Sequence, residues 1–343
     1  MDTADFDYRL PAAAIAQVPA EPRDAARLLV DRGPREQPAH RRVADLAELV
    51  GTGDLLVVND TRVLPARLRL RRATGGAVEV LLLHRRPDGS WEALVKPSGR
   101  VRPGTVLTHR DLVVAVAEDL GEGRRVVRLS GGGDGDTDID ADMMRLDGHG
   151  EIPLPPYIHE PLGDPERYQT VFARRAASVA APTAGLHLTH ALLDRCRGAG
   201  ADVVTVELEV GLGTFRPITV DTVEDHHMHA EPYRVTGDVM DRCLAARRVI
   251  AVGTTVVRAL EAAACTGIRE GSTDLFIHGD HPFRIVDALL TNFHVPRSSL
   301  LVLVDAFIGR RWRSLYAAGL DEGYRFLSFG DAMLLDRRWG RTG

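Results

Sequence analysis

The run SVAAPTAGLHLT (178–189) places Pro182, Gly185 and His187 within six residues, just before a segment, THALLDRCR, that reads as a helix. It shows neither a helical apolar stripe nor strict alternation, so packing alone does not account for it. A histidine in such a place can carry protons near neutrality or hold a hydrogen bond. A second group lies in EDHHMHAE (224–231), where Glu224, Asp225, His226, His227, His229 and Glu231 crowd together. Three uses are open for it: proton transfer by His226 and His229, a zinc site, or an exposed polar turn. His226 and His229 stand at i, i+3, a poorer zinc pair on a helix than i, i+4, and there is no HExxH motif, so no metal is expected.

Other stretches suit anions and polar ligands. VIAVGTT (249–255) followed by VVRALEAA reads as strand, tight turn and helix. Gly253 lets the backbone turn, and Thr254 and Thr255 stand at a helix N-terminus, whose amides attract a carboxylate or phosphate. A plain capped strand-to-helix turn is the other reading, since no Walker loop or GxGxxG is present. VGLGTFRP (210–217) sets two glycines and Arg216 at the end of a strand, where Arg216 can clamp a carboxylate or phosphate or simply lie on a surface loop. TNFHVPRSSL (291–300) brings Asn292 and His294 to the end of the apolar run RIVDALL. Asp134, Asp136 and Asp138 imitate a calcium loop, but Ile139 stands where glycine is needed and Arg145 where a bidentate glutamate belongs. There is no GxSxG and no catalytic Cys–His signature.

These groups need a scaffold. From about residue 156 the pattern alternates between helix and strand, which argues for an α/β layer with a mixed or mostly parallel sheet. Residues 63–150 instead give short β-rich runs between Gly- and Pro-containing turns, the pattern of a small β-barrel. The expected organisation is a discontinuous α/β catalytic domain, 1–62 plus 151–343, with a β-barrel domain, 63–150, inserted into it. LLVLVDAFIG (300–309) is expected as a strand or a strand–helix unit.

The chain has 343 residues, more than one small core uses, and its 44% hydrophobic and 27% charged content is ordinary for a globular protein. No apolar run approaches the length of a membrane span, and MDTADFDYRL has no signal-peptide pattern. Cys196, Cys243 and Cys265 are odd in number and widely spaced, which fits a reducing cytoplasm. Net charge is −5, yet residues 62–110 hold eleven Lys/Arg against three acids. That excess can follow a phosphate backbone or keep strand faces soluble.

Taken in order, FDYRLPAAAIAQVPAEPRDAARLLV, GDLLVVNDTRVLPARL, GHGEIPLPPYI, SVAAPTAGLHLT, VGLGTFRP, EDHHMHAE, AVGTTVVRALE, TNFHVPRSSLL and YRFLSFGDAML resemble the S-adenosylmethionine:tRNA ribosyltransferase-isomerase family of queuosine biosynthesis. The resemblance runs from about Phe6 to Leu335, and nine motifs in order are far more specific than any one. It implies an α/β domain with an inserted β-barrel. It also implies transfer and isomerisation of the ribosyl part of S-adenosylmethionine, a co-substrate with no permanently bound cofactor beside it. The acceptor is the aminomethyl group of 7-aminomethyl-7-deazaguanine in a tRNA anticodon, and adenine and methionine are released.

On that resemblance His187, His226 and His229 are the catalytic candidates. His187 points from a helix entrance into the pocket for S-adenosylmethionine, with its backbone fixed by Pro182 and Gly185. Thr183, Arg216, Thr254, Thr255, Asn292 and His294 join Pro182 and Gly185 in that pocket. Asn59, Asp60, Thr61 and Arg62, at the domain boundary, contact the base or backbone of tRNA, and Arg69, Arg71 and Arg72 hold its stem. A cytoplasmic monomer is expected. Rival readings are a paralogue acting on a free deazaguanine or other small amine, a catalytically silent RNA-binding protein, and a metal hydrolase built on His226 and His229. The chain departs from the family pattern where Leu188 replaces phenylalanine, Ser272 tryptophan, Val256 serine, Ala259 threonine, Arg297 lysine and Asp305 serine.

Overall fold

The computed structural model describes residues 1–131, 139–211 and 217–339. Asp134, Asp136, Asp138 and Arg216 lie outside the described residues. The chain divides into two compact units, one made of Met1–Thr61, Pro155–Arg175 and Ala181–Gly343, the other of Arg62–Leu154 and Ala176–Ala180.

The first unit is an α/β layer. Its sheet runs, among the described residues, through Glu270–Thr273, Glu231–Arg234, Asp202–Leu208, Asp54–Asn59, Arg248–Val252, Ala288–Asn292, Ala332–Asp336, Arg27–Val30 and Ala39–Arg42. The four strands from Asp202–Leu208 to Ala288–Asn292 are parallel, and antiparallel pairings flank them on both sides, so the sheet is mixed. Asp54–Asn59, DLLVVN, is buried along its whole length because strands pair with both of its edges and both faces are covered. Leu56, Val58, Ile250, Val252 and Leu290 pack with Leu192 and Cys196 of the helix His190–Gly198 in one core cluster. Because the central strands are parallel, Leu208, Asn59, Val252 and Asn292 all arrive at the same edge of the sheet. Ligands in open α/β sheets lie beyond that carboxyl edge.

The helix Thr254–Thr266 follows directly, and its residues 254–263 are all buried. Glu261 lies fully inside, and its carboxylate accepts the backbone amides of Arg284, Ile285 and Val286 at 2.8, 3.1 and 3.0 Å. This fixes the segment that leads into the strand Ala288–Asn292. The run LLVLVDAFIG, expected as a strand or a strand–helix unit, is helical: Ser299–Ile308 is a helix, with the Ser298 side chain accepting from the amide of Leu301. An apolar run of this length has no period to distinguish the two, and a helix apolar on every side is stable only when buried, as this one is.

The second unit is a closed antiparallel barrel. Its six strands follow the order Arg67–Arg72, Ala77–Arg85, Trp91–Lys96, Arg124–Ser130, Leu112–Gly121 and Val106–His109. Arg71 opposite Thr108 and Arg72 opposite Leu107 close the ring. Leu68 and Leu70 fill the interior, so Arg69 and Arg71, with period two, face outward.

Replacing Glu261 by Ala leaves three amides without their acceptor, those of Ile285 and Val286 buried. Urea denaturation should show a loss of about 3 kcal/mol or more; a loss below about 1 kcal/mol would show that the carboxylate does not hold this segment.

Candidate active site

At the carboxyl edge of the parallel strands lies an open cleft of about 350 Å³, counting the solvent at its mouth. Its apolar walls include Ala181, Pro182, Val210 and Leu300, and its polar atoms come from Thr183, Thr254, Thr255, Thr291, Asn292 and His294. All of these belong to the first unit.

The floor is built by a turn that only glycine tolerates easily. Gly253 has φ of 95°, and its amide donates to Leu290 O at 2.8 Å. The helix then starts with no side-chain cap, so its first-turn amides face the cleft as a partial positive charge. Thr255 is 7% exposed and its hydroxyl has no hydrogen-bond partner. A buried hydroxyl left unmatched at a ligand-sized cleft marks where a ligand's polar atom fits.

Asn292 is the hub of the opposite wall. Its Oδ1 accepts from the Thr183 hydroxyl at 3.0 Å, and its Nδ2 donates to Leu327 O at 3.2 Å. A carbonyl cannot donate, so the atom facing it must be the amide nitrogen. The second proton of that nitrogen therefore goes to His187 Nε2, 3.0 Å away. His187 must then be unprotonated at Nε2 and carry its proton on Nδ1. Burial, helped by the charges of Arg325 and Arg23, pushes its pKa down to about 4. His294 is held likewise: Nε2 lies 3.0 Å from the Thr291 hydroxyl, its amide donates to Tyr316 Oη at 2.9 Å, and burial lowers its pKa to about 3. Both rings are neutral at pH 7.

The structure places the residues singled out from sequence unevenly. Pro182, Thr183, Thr254, Thr255, Asn292 and His294 come together around the one cleft. His187 ends the short turn Thr183–His187 and lines a second cleft with Arg23, Arg167 and Ser328, and it meets the first through its bond to Asn292. Gly185 lines neither; it is required by space, since a Cβ there would meet Phe172 Cζ at 2.8 Å and Thr170 Cγ2 at 2.9 Å. His226 and His229 are on neither cleft and not on a helix: they follow the turn Val223–Asp225, with His226 half-buried edge-on to Phe276 and His229 exposed. Burial, then His229 and His227, lowers the pKa of His226. Among the described residues no three His, Cys, Asp or Glu side chains converge to hold a metal ion.

Asn59 and Thr61 are buried, at 1% and 0% exposure, and bond within their own unit: Asn59 Nδ2 donates to Leu208 O at 2.9 Å and Oδ1 accepts the Thr61 amide at 3.2 Å. These side chains splice two chain segments and present nothing outward. Asp60 is also buried, which raises its pKa, and Arg62 is half-buried. Arg69 and Arg71 are exposed and Arg72 half-buried on one barrel strand. Arg69 pairs with Glu151 at 3.0 Å, and Arg71 donates to Gly75 O at 3.1 Å. Sequence reasoning passed over Leu327 O, the acceptor that orients Asn292; a backbone carbonyl carries no residue-type signal.

The neutral histidines make stability pH-dependent. Both fold with pKa values well below the 6.5 of the unfolded chain, so below pH 6.5 the unfolded state binds protons first. Their contribution is full above pH 6.5 and is lost as pH falls toward about 4 and about 3. Denaturation at pH 5 should give about 2 kcal/mol less stability per histidine than at pH 6.5. A His187→Gln/His294→Gln protein should have a flatter profile; the same slope as the parent would contradict the assignment.

The family described as "Queuosine biosynthesis protein" matches residues 3–335. The S-adenosylmethionine:tRNA ribosyltransferase-isomerase of Thermus thermophilus is 50% identical, with 96% of this chain and 98% of that protein covered. The protein of the same name from Rubrobacter xylanophilus is 49% identical, with 98% of each covered. The crystal structure of an S-adenosylmethionine tRNA ribosyltransferase from Thermotoga maritima aligns with a TM-score of 0.54 at 34% identity, covering 96% of this chain and 99% of that one. With a match of this length and relatives this similar across both units, the chain belongs to the queuosine biosynthesis family of S-adenosylmethionine:tRNA ribosyltransferase-isomerases.

Proposed function

We propose that this protein transfers and isomerises the ribosyl unit of S-adenosylmethionine onto 7-aminomethyl-7-deazaguanine in a tRNA anticodon, forming epoxyqueuosine and releasing adenine and methionine. The observation that carries the pocket assignment is the unmatched Thr255 hydroxyl at an uncapped helix N-terminus. A helix start of this kind suits the methionine carboxylate, with Thr255 donating to it and Thr254 beside it. Asn292 and Thr183 supply fixed polar groups for the ribose across the cleft, between the apolar walls.

The sulfonium acidifies the neighbouring ribose carbon, so a base must take its proton, and adenine must gain one as it leaves. His187 fits a neutral, orienting role: its Nε2 is occupied by Asn292 and its basicity is depressed. His226 and His229 are the remaining proton carriers, on the loop that ends at Glu231. The attacking group is the amine of the base itself, so the chemistry needs no serine or cysteine nucleophile. The outward arginines of the barrel strand Arg67–Arg72 suit the tRNA backbone. No helix among the described residues is long and apolar enough to cross a membrane. We take the working form to be a cytoplasmic monomer.

The test is adenine release from S-adenosylmethionine with and without tRNA carrying the modified base, together with the mass of that nucleoside. Adenine only with the modified tRNA, and a nucleoside heavier by the rearranged ribosyl unit, is the expected result. No adenine with that tRNA, or adenine with a free deazaguanine alone, would overturn it.

Thr255→Val keeps the shape and removes only the hydroxyl. KM for S-adenosylmethionine should rise about tenfold, while the ligand-free protein melts no earlier, because an unmatched buried polar group has been lost. An unchanged KM would place the carboxylate elsewhere. Arg69, Arg71 and Arg72 changed together to Glu should raise KM for tRNA strongly and flatten its salt dependence by up to about three units of slope. Binding of S-adenosylmethionine alone should not change; an unaltered tRNA KM would take the stem off this strand.

A further inference from the structure

We propose that Glu231 and Arg258 are positioning residues that fix one wall of the cleft to its floor. This rests on the reading that the cleft takes S-adenosylmethionine. Arg258 lies one turn into the helix Thr254–Thr266, whose first residues form the floor. It is 4% exposed and paired through Nη1 with the carboxylate of Glu231, itself 6% exposed. Arg258 also donates to Leu275 O at 3.1 Å and Thr273 O at 3.4 Å. Thr273 sits opposite Glu231 on the neighbouring strand, so the guanidinium closes one rung of the sheet edge.

The other oxygen of Glu231 bonds to the chain beside the cleft wall. Oε1 accepts the amide of Gly211 at 2.8 Å, where the chain has just left the strand Asp202–Leu208. Val210, the residue before, is part of the cleft wall. One carboxylate thus joins the wall at Val210–Gly211 to the helix that supplies Thr254 and Thr255. An ion pair this buried is not needed for stability as such, because two apolar side chains of similar size serve as well or better. Its geometry instead accounts for placement: the wall and the anion-binding floor keep one spacing because both end on Glu231. Glu231 stands in the histidine-rich stretch, and the same tie sets where the strand after His226 and His229 begins.

Single substitutions leave a buried charge unpaired and lower the melting temperature whatever the role. The informative comparison is between two double variants without buried charge, Glu231→Leu/Arg258→Met and Glu231→Gln/Arg258→Met. Only the second keeps an oxygen to accept from Gly211. Calorimetric titration with S-adenosylmethionine should show the Leu variant binding about tenfold more weakly than the Gln variant. Hydrogen exchange at the Gly211 amide should be about tenfold faster in the Leu variant, without ligand. Equal affinities with equal Gly211 exchange would overturn the proposal and leave the pair a packing feature. If the unaltered protein binds no S-adenosylmethionine, the ligand assignment fails, and Gly211 exchange alone decides the tie.

Discussion

A helix with ten successive buried residues can carry polar and charged groups only where partners await them. In Thr254–Thr266, after the first residue Thr254, those groups recur every three residues, at Thr255, Arg258 and Glu261, and each meets a different part of the unit. Glu261 gathers three backbone amides ahead of the strand that delivers Asn292. Arg258 reaches the sheet edge and, through Glu231, the wall at Gly211. Thr255 alone has no protein partner, and it faces the cleft. The helix thus fixes its surroundings by two satisfied groups and offers one unsatisfied group to a ligand.

The opposite wall follows a similar logic through one amide. Leu327 O can only accept, which decides the orientation of Asn292, and Asn292 decides the tautomer of His187. The consequence is a histidine held neutral and pre-oriented, removed from the pool of groups that gain and lose protons near pH 7. His294 is neutral for a simpler reason, burial without a charged partner. A cleft lined by polar groups and one helix N-terminus suits the proposed sulfonium ligand: the helix start is complementary to a carboxylate, and no lysine or arginine of the described lining opposes the sulfonium charge.

Much of this was legible in sequence where local chemistry announces it. The turn Gly253–Thr254–Thr255 before a helical pattern marked the floor, and the polar residues ending RIVDALL marked Asn292 and His294. The alternation after residue 156 and the short runs of residues 63–150 indicated a mixed α/β sheet and a barrel. What stayed hidden depends on contacts between distant segments. Asn59 and Thr61 were expected to contact tRNA at the domain boundary, and nothing local in the sequence shows that they bond to Leu208, 149 and 147 positions away. Glu231 was masked by the histidines around it, and its partner Arg258 lies on another element. Ser299–Ile308 was ambiguous because a fully buried helix shows no polar face.

The proposed pocket depends most on the start of Thr254–Thr266 receiving the carboxylate of S-adenosylmethionine. The direct measurement is calorimetric binding of S-adenosylmethionine against its decarboxylated analogue, at one pH and ionic strength. A helix N-terminus aided by Thr255 predicts at least about tenfold weaker binding of the analogue. Equal binding of the two would contradict the claim and move the methionine end of the ligand away from this helix.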